Sequence, residues 1–593
     1  MRAQGQSFEK VSERQEDNDD SECEDLDGLA GGTTLAMQDK ESGLSSGAMN
    51  AVPRIAVCTA IQGGMSLREA VLVALLTAML ALGLGLVRPS GLSNDSFQYL
   101  SVAANVAQGQ GIETPLVHFD SERSIGRIPA PMTTFAPGYP VVVALSSFLA
   151  GSAERGARLI SIAASALSVI LIWALANFAG LDRTSTRVAM ALLIGNAFFL
   201  HTATSVAPEP LFLLVSLSAL LVVAVSIHSS AGQSADWTGL VIGQILVAAS
   251  YSIRYAGIFV FAAVLAHAAA SFALLRNKRA LVYLLSNLVS GALIGSIMMR
   301  NWVLVGTWKG GNEKQVSHSL PTVLAIYVKA QIHLLFGMHI FDLWLICVIA
   351  LSALAILWAA VTLLRNRPHR VPSPFTGAAL FFIYALVSTA GMIWLGMTSV
   401  ISFGTRMFYP LLPLYIVAAV LIVSRGSKLV GSGEKPARYR QALAVLFLVL
   451  YGWVNLREFN TPREPSGLDN LRDAYAKPMA NGQPLHEWID ANIGNNEAIV
   501  ADAGQITGYF LERPTLSLIE SEYSTATWDQ QTVTTVMHRF HARFLILNLA
   551  IPAEEAPVRT ESNFLQKAIC CRINPGFHVV AENQDVRIFQ VND

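Results

Sequence analysis

Four charged side chains stand where apolar sequence gives way to polar sequence. Asp95 lies in Ser93-Asn94-Asp95-Ser96-Phe97-Gln98-Tyr99, Glu209 lies between Pro208 and Pro210, Arg254 interrupts Ser252-Ile253-Arg254-Tyr255, and Arg406 precedes Met407-Phe408-Tyr409-Pro410. A carboxylate at a water–lipid boundary can take a proton from a hydroxyl. A guanidinium at the same boundary matches the oxygens of a phosphate. A plainer role is open to each acid, because Asp and Glu are favoured in the first turn of a helix by the backbone dipole.

The positions of these groups depend on the elements around them. Ser93-Asn94 is a good N-cap pair. It predicts a helix from Asp95 to about Gln108, stopped by Gly109 and Gly111, with Asp95, Tyr99 and Ala103 on one face. Farther on, Phe135-Ala136-Pro137-Gly138-Tyr139-Pro140 suits a type II turn at Pro137-Gly138, with Pro140 opening the next helix. That is turn chemistry alone, and its use is to return a long polar loop, 88–155, to the membrane.

The chain has 593 residues, of which 53% are hydrophobic and 14% charged. Soluble domains carry about 25% charged residues, so this composition indicates a polytopic membrane protein. Runs of about 20 apolar residues predict about eleven spans: Arg68–Val87, Gly156–Ala179, Thr186–Thr204, Pro208–His228, Thr238–Ile253, Tyr255–Leu275, Ala280–Val305, Phe341–Leu364, Phe375–Met397, Met407–Ser424 and Ala442–Asn455. Val141–Ala150 is too short to span and suits the interface. Arg183, Arg187, Arg276, Lys278, Arg279, Arg365, Arg367, Arg370, Arg425 and Lys428 all fall in loops of one parity, which are therefore expected in the cytoplasm. Asp95, Glu209, Arg254 and Arg406 then face the outside, as does the segment Gly306 to Ile340.

The first 65 residues are acidic and rich in Gly, Ser and Thr, and are expected to form a disordered cytoplasmic tail. The membrane region is expected to cover 66–456. From about 457 charge becomes frequent, and 457–593 reads as a small α/β domain with a helix over Pro484–Asn492, strands at Glu497–Ala501 and Arg543–Leu549, and a strand pair at Phe577–Ala581 and Val586–Val591. The formal net charge of −1 argues against a nucleic-acid partner. Cys23, Cys58, Cys347, Cys570 and Cys571 show neither metal-ligand spacing nor a disulfide framework.

Taken in order, the Asp95…Tyr99 segment, Phe135-Ala136-Pro137-Gly138-Tyr139-Pro140, Pro208-Glu209-Pro210-Leu211-Phe212, Arg254-Tyr255-Ala256-Gly257 and Arg406-Met407-Phe408-Tyr409-Pro410-Leu411-Leu412-Pro413 resemble the integral-membrane glycosyltransferases of the GT-C class. The likeness is to the branch related to bacterial protein O-mannosyltransferases and aminoarabinose transferase, the dolichyl-phosphate-mannose-protein mannosyltransferase-like family. It runs from about Arg68 to Val423. The pattern Leu485-His486-Glu487-Trp488-Ile489, Ala498-Ile499-Val500 and Leu511-Glu512-Arg513-Pro514 is similar to the extracytoplasmic domain behind many such membrane regions.

The resemblance implies transfer of a sugar from a polyprenyl-phosphate donor to an acceptor hydroxyl on a protein, lipid or glycan, with inversion. Asp95 would be the base and Glu209 a second acid orienting a substrate. Arg254 and Arg406 would hold the carrier phosphate; the plain alternative for both is headgroup binding or a salt bridge to Glu209. Tyr99, Tyr139, Tyr255 and Lys309 are candidate substrate contacts, and Gly310-Gly311 suggests a lid. Many eukaryotic relatives carry Asp-Glu at the first acidic site; Asn94-Asp95-Ser96 supplies one carboxylate where they have two, so a divalent metal stays open but is not indicated. The competing classes are a transporter or flippase of lipid-linked glycans, a glycan polymerase or ligase, and a membrane scaffold. A transporter predicts acids near the bilayer midplane and matched halves, and neither is visible in the sequence.

Overall fold

The structure is a computed structural model that describes residues 65–88, 90–118, 127–229, 236–310, 317–336, 377–398, 405–429, 451–453, 455, 467–479, 481–518, 528–552, 556–571 and 576–592. Its first part runs α1 (Leu67–Val87), α2 (Asn94–Ala107), the short strands β1 (Glu113–Thr114), β2 (Leu116–His118) and β3 (Ala130–Pro131), then α3 (Gly138–Ala150), α4 (Ala153–Phe178), α5 (Arg183–Ile194), α6 (Ala197–Ala203), α7 (Glu209–Ser229), α8 (Trp237–Ile253), α9 (Gly257–Leu275), α10 (Lys278–Val305), α11 (Leu320–Phe336), α12 (Gly377–Thr398), a 3-10 segment (Thr405–Leu411) and α13 (Leu412–Leu429).

Seven described helical stretches are long and apolar enough to cross a membrane, and α5 with α6 makes an eighth if their 63° bend is one broken span. The chain is a multi-pass membrane protein. The outward face of α1 carries exposed Leu72, Leu75, Met79, Leu82 and Leu86, while Ala70, Ala74, Thr77 and Ala81 form a buried stripe of small residues. Small residues let helix backbones approach closely where lipid removes the usual hydrophobic drive between helices.

Three expectations are corrected. The third span is not continuous: the Asn196 side chain accepts from the Phe199 backbone N–H and caps α6, which forces the bend. The fifth keeps its expected place as Trp237–Ile253, but at 17 residues it is not among the helices long enough to count as a full span. Part of the expected outer loop 306–340 is the apolar helix α11, whose Leu334 carbonyl accepts from Asn196 at that bend (2.9 Å). The expected span 341–364 lies outside the described residues, as do all but the last residues of 442–455 and the tail 1–64.

The C-terminal part holds α14 (Gly467–Ala476), α15 (Leu485–Asn492), β4 (Ile499–Ala501), α16 (Gly504–Leu511), β5 (Thr515–Ser517), α17 (Gln530–Arg539), β6 (Phe544–Asn548), α18 (Val558–Glu561), α19 (Asn563–Cys571), β7 (Phe577–Glu582) and β8 (Val586–Val591). The six-stranded sheet has the order β2–β5–β4–β6–β8–β7. The first four strands are parallel and the last two antiparallel to their neighbours. Ile499, Ala501, Phe544 and Ile546 face one core; Val500, Leu545 and Leu547 face the other. Burial on both faces is why these strands read as unbroken apolar runs.

One strand of this sheet does not come from the C-terminal part. β2 belongs to the loop after α2 and pairs in parallel with β5, Leu116 opposite Thr515 and His118 opposite Ser517. Leu116 and Phe97 of α2 are buried in the core formed with α14, α15 and α16, and full burial of one such side chain contributes about 1.5–3 kcal/mol.

Candidate active site

α2 begins with a capping box. Ser93 Oγ accepts from the Ser96 backbone N–H, and Ser96 Oγ accepts from the Ser93 backbone N–H. Ser96 Oγ also donates to the Val206 carbonyl (2.8 Å), three residues before Glu209. This fixes the start of one helix against the approach to another. Asp95, in the first turn of α2, is 26% exposed and accepts from Arg406 Nη1 at 2.6 Å. Arg406 stands in the 3-10 segment and is 49% exposed.

Glu209 opens α7 and is 2% exposed. It pairs with Arg254, the C-cap residue between α8 and α9. Arg254 Nη2 also donates to the thioether of Met407 (3.2 Å), the residue after Arg406. The four charged residues expected from the sequence therefore form two linked acid–guanidinium pairs at one end of the helix bundle. Met407 was not foreseen; nothing in an apolar residue beside an arginine marks it as a bridge.

Beneath the charges lies an aromatic layer. The Tyr99 ring makes edge contacts with Tyr139 (centroids 5.0 Å) and Phe135 (5.1 Å). Tyr99 and Tyr139, the expected substrate contacts, are both buried in this layer. Burial pushes the Tyr99 phenol well above its ordinary range, the Asp95 charge acting in the same direction, so Tyr99 keeps its proton. The second oxygen of Glu209 is buried with no hydrogen-bond partner among the described residues.

Pro137-Gly138 is not a type II turn. Pro137 is right-handed helical (φ −77°, ψ −18°), and Gly138 is the first residue of α3. Gly138 serves close packing: a Cβ there would lie 2.6 Å from the Ser252 carbonyl oxygen, two residues before Arg254. Tyr255 donates to the Thr133 carbonyl (2.8 Å) and accepts from Asn301 Nδ2 (3.0 Å), which ties α10 to the segment before α3. Gly310, at φ +80°, is buried against Thr133 and Asn301, while the rest of the expected lid, 311–316, lies outside the described residues. Lys309 is exposed and forms no ion pair among the described residues. Among the described residues no group of three or more His, Cys, Asp or Glu side chains could hold a metal ion.

Two acids thus face two guanidinium groups at one end of the helix bundle, and comparison with known proteins identifies the fold that holds them. Residues 134–299 match the family described as dolichyl-phosphate-mannose-protein mannosyltransferase. The fold is similar to that of the archaeal oligosaccharyltransferase AglB from Archaeoglobus fulgidus, solved with an inhibitory peptide and a dolichol-phosphate, at TM-score 0.55 and 12% identity over 84% of this chain and 72% of that one. It is similar to ArnT from Cupriavidus metallidurans, solved with undecaprenyl phosphate, at TM-score 0.50 and 12% identity over 88% of this chain and 97% of that one. It is similar to the arabinofuranosyltransferase AftD from Mycobacteria at TM-score 0.50 and 11% identity over 89% of this chain and 42% of that one. No curated protein matches the sequence. The fold is that of the GT-C integral-membrane glycosyltransferases, the class that the order of motifs resembles.

Proposed function

We propose that the chain is a glycosyltransferase that moves a sugar from a polyprenyl-phosphate donor to an acceptor hydroxyl on the outer face of a bacterial-type cytoplasmic membrane. The observation that carries this reading is the convergence of Asp95, Arg406, Arg254 and Glu209, which supplies a base beside two phosphate-matching cations. ArnT and AglB, with the same fold, were solved with undecaprenyl phosphate and dolichol-phosphate.

In the proposed step, an Asp95 carboxylate oxygen takes the acceptor hydroxyl proton while that hydroxyl oxygen bonds to the anomeric carbon. The bond from that carbon to the phosphate oxygen breaks, and the electron pair leaves with the polyprenyl phosphate. Attack opposite the leaving group inverts the anomeric centre. Arg406 and Arg254 receive the charge that develops on the phosphate, and such electrostatic stabilisation is commonly the largest catalytic contribution. The phosphate is already acidic, so no proton donor is required at the leaving group.

The 2.6 Å contact of Arg406 with Asp95 gives this sequence an order. A carboxylate oxygen engaged by a guanidinium has fewer lone pairs open to a hydroxyl. A donor phosphate that claims Arg406 frees the carboxylate, so the base becomes available when donor is in place. Glu209, enclosed and paired with Arg254, orients that guanidinium.

The test uses mass spectrometry of glycans and lipid-linked sugars from cells with and without the gene, and from cells carrying Asp95→Asn. The expected result is a glycan that depends on the gene and a lipid-linked sugar that accumulates in its absence. Asp95→Asn should behave as the absence of the gene does while protein abundance is unchanged. Identical glycan and lipid profiles in all three would end the proposal.

A further inference from the structure

α2 is buried on nearly every side although it lies in a loop between apolar helices. Its side chains divide between two cores. Tyr99, Leu100, Val102 and Ala103 pack with the membrane helices, whereas Phe97 packs in the core of the C-terminal sheet. The Phe97 ring meets Tyr509 of α16 at 5.1 Å between centroids, and Tyr509 touches both cores.

The next residue continues the attachment. Gln98 Nε2 donates to the Leu116 carbonyl (2.6 Å), and its carbonyl oxygen accepts from Thr114 Oγ1 (2.9 Å). Asn105 Nδ2, two turns on, donates to the Glu113 carbonyl (2.9 Å). Leu116 starts β2, which is hydrogen-bonded to β5. The turn that carries Asp95 is therefore joined to the C-terminal sheet through a ring contact on one side and a short strand on the other.

We propose that the C-terminal domain is a clamp for the catalytic helix, with Phe97, Gln98 and Tyr509 as positioning residues that set the height and rotation of Asp95 over Arg406. This rests on the reading of Asp95 as the base. A helix anchored on the bundle side alone could tilt about that contact, and an error of about 1 Å in a reacting group costs on the order of a hundredfold in rate. The phosphate-binding side chains Arg254 and Arg406 belong to other elements. The clamp therefore sustains turnover, and its loss does not weaken binding of the carrier phosphate, since an Asp95 drawn off Arg406 leaves that guanidinium open to the phosphate.

The experiment uses the full chain in lipid nanodiscs with Tyr509→Ala and Tyr509→Phe. Three readouts are taken: affinity for undecaprenyl phosphate, hydrogen exchange of the α2 amides, and gene-dependent consumption of lipid-linked sugar in cells. For Tyr509→Ala the expected turnover falls about tenfold to a hundredfold, the α2 amides exchange faster, and affinity for undecaprenyl phosphate falls by no more than about twofold. Tyr509→Phe keeps the ring against Phe97 and should match the native chain in all three. Native turnover in Tyr509→Ala overturns the clamp, and so does a loss of lipid-phosphate affinity as large as the loss of turnover. If the native chain itself neither binds undecaprenyl phosphate nor consumes a lipid-linked sugar, the transferase reading falls first and the clamp falls with it.

Discussion

The two ion pairs at the centre of this molecule are not equivalent. Glu209 is enclosed, and Arg254 is 17% exposed, whereas Asp95 and Arg406 are both open to solvent in part. Removing one partner of a buried pair leaves an uncompensated charge and costs about 3–5 kcal/mol. Arg254→Ala should therefore lower both thermal stability and affinity for undecaprenyl phosphate. In the double substitution Glu209→Gln with Arg254→Met, stability should recover while affinity stays low, and thermal unfolding measured beside lipid-phosphate binding separates the two. Arg406→Ala should weaken lipid-phosphate binding with a much smaller change in unfolding temperature, because Asp95 can be rehydrated. All four residues were legible in the sequence, since a lone charge at the end of an apolar run needs no knowledge of the rest of the chain. Their pairing was legible in part: a salt bridge to Glu209 was the plain alternative for both arginines and Arg254 makes it, whereas Arg406 meets Asp95, across a sequence separation that no spacing rule covers.

At the scale of elements, the sequence revealed helices where periodicity or apolar length was long and misread them where a single residue decided the outcome. The N-cap Ser93 and the stop at Gly109 gave α2 nearly to the residue. Asn196 turned one expected span into two helices, because a cap in the middle of an apolar run is also an ordinary polar residue. α11 was taken for loop because Lys329, Gln331 and His333 interrupt its apolar run. Gly138 looked like a turn glycine and is a contact glycine. Gly138→Leu should drive α3 away from α8 and cost about 1–3 kcal/mol. It should also reduce turnover through Arg254, which follows Ser252 closely in the chain. Gly151 has open space around its Cβ direction but a left-handed backbone (φ +77°). Gly151→Ala therefore serves as a control whose penalty is local strain of about 1 kcal/mol, with turnover kept. Unfolding temperature and sugar consumption, measured together, test both.

For the whole molecule, the membrane bundle and the α/β domain share an element rather than merely touching. The β4, β6, β7 and β8 strands were expected from their apolar runs. β2 and β5 were missed because Leu116-Val117-His118 and Thr515-Leu516-Ser517 are short and mix polar with apolar residues, whereas β4, equally short, lies in the apolar run Ala498–Ala501. A chain ending before residue 457 would lack β5 and α16, leaving β2 without its partner and Phe97 exposed. It should accumulate as a membrane protein, be cut by proteases within 112–118, and transfer no sugar. Proteolytic mapping with mass spectrometry of lipid-linked sugars checks both outcomes.

The pairing of β2 with β5 also bears on biogenesis. The first of these strands is made early and must wait for its neighbour until most of the polypeptide has been synthesised. Closing so long a chain segment is entropically costly and slow. The half-built protein can settle its early helices in the bilayer, yet the helix bearing Asp95 acquires its second anchorage only once Ser517 has been made. On the proposed function, a translation product interrupted before β5 is inert toward lipid-linked sugars, and the arrival of that strand acts as the licence for the chemistry.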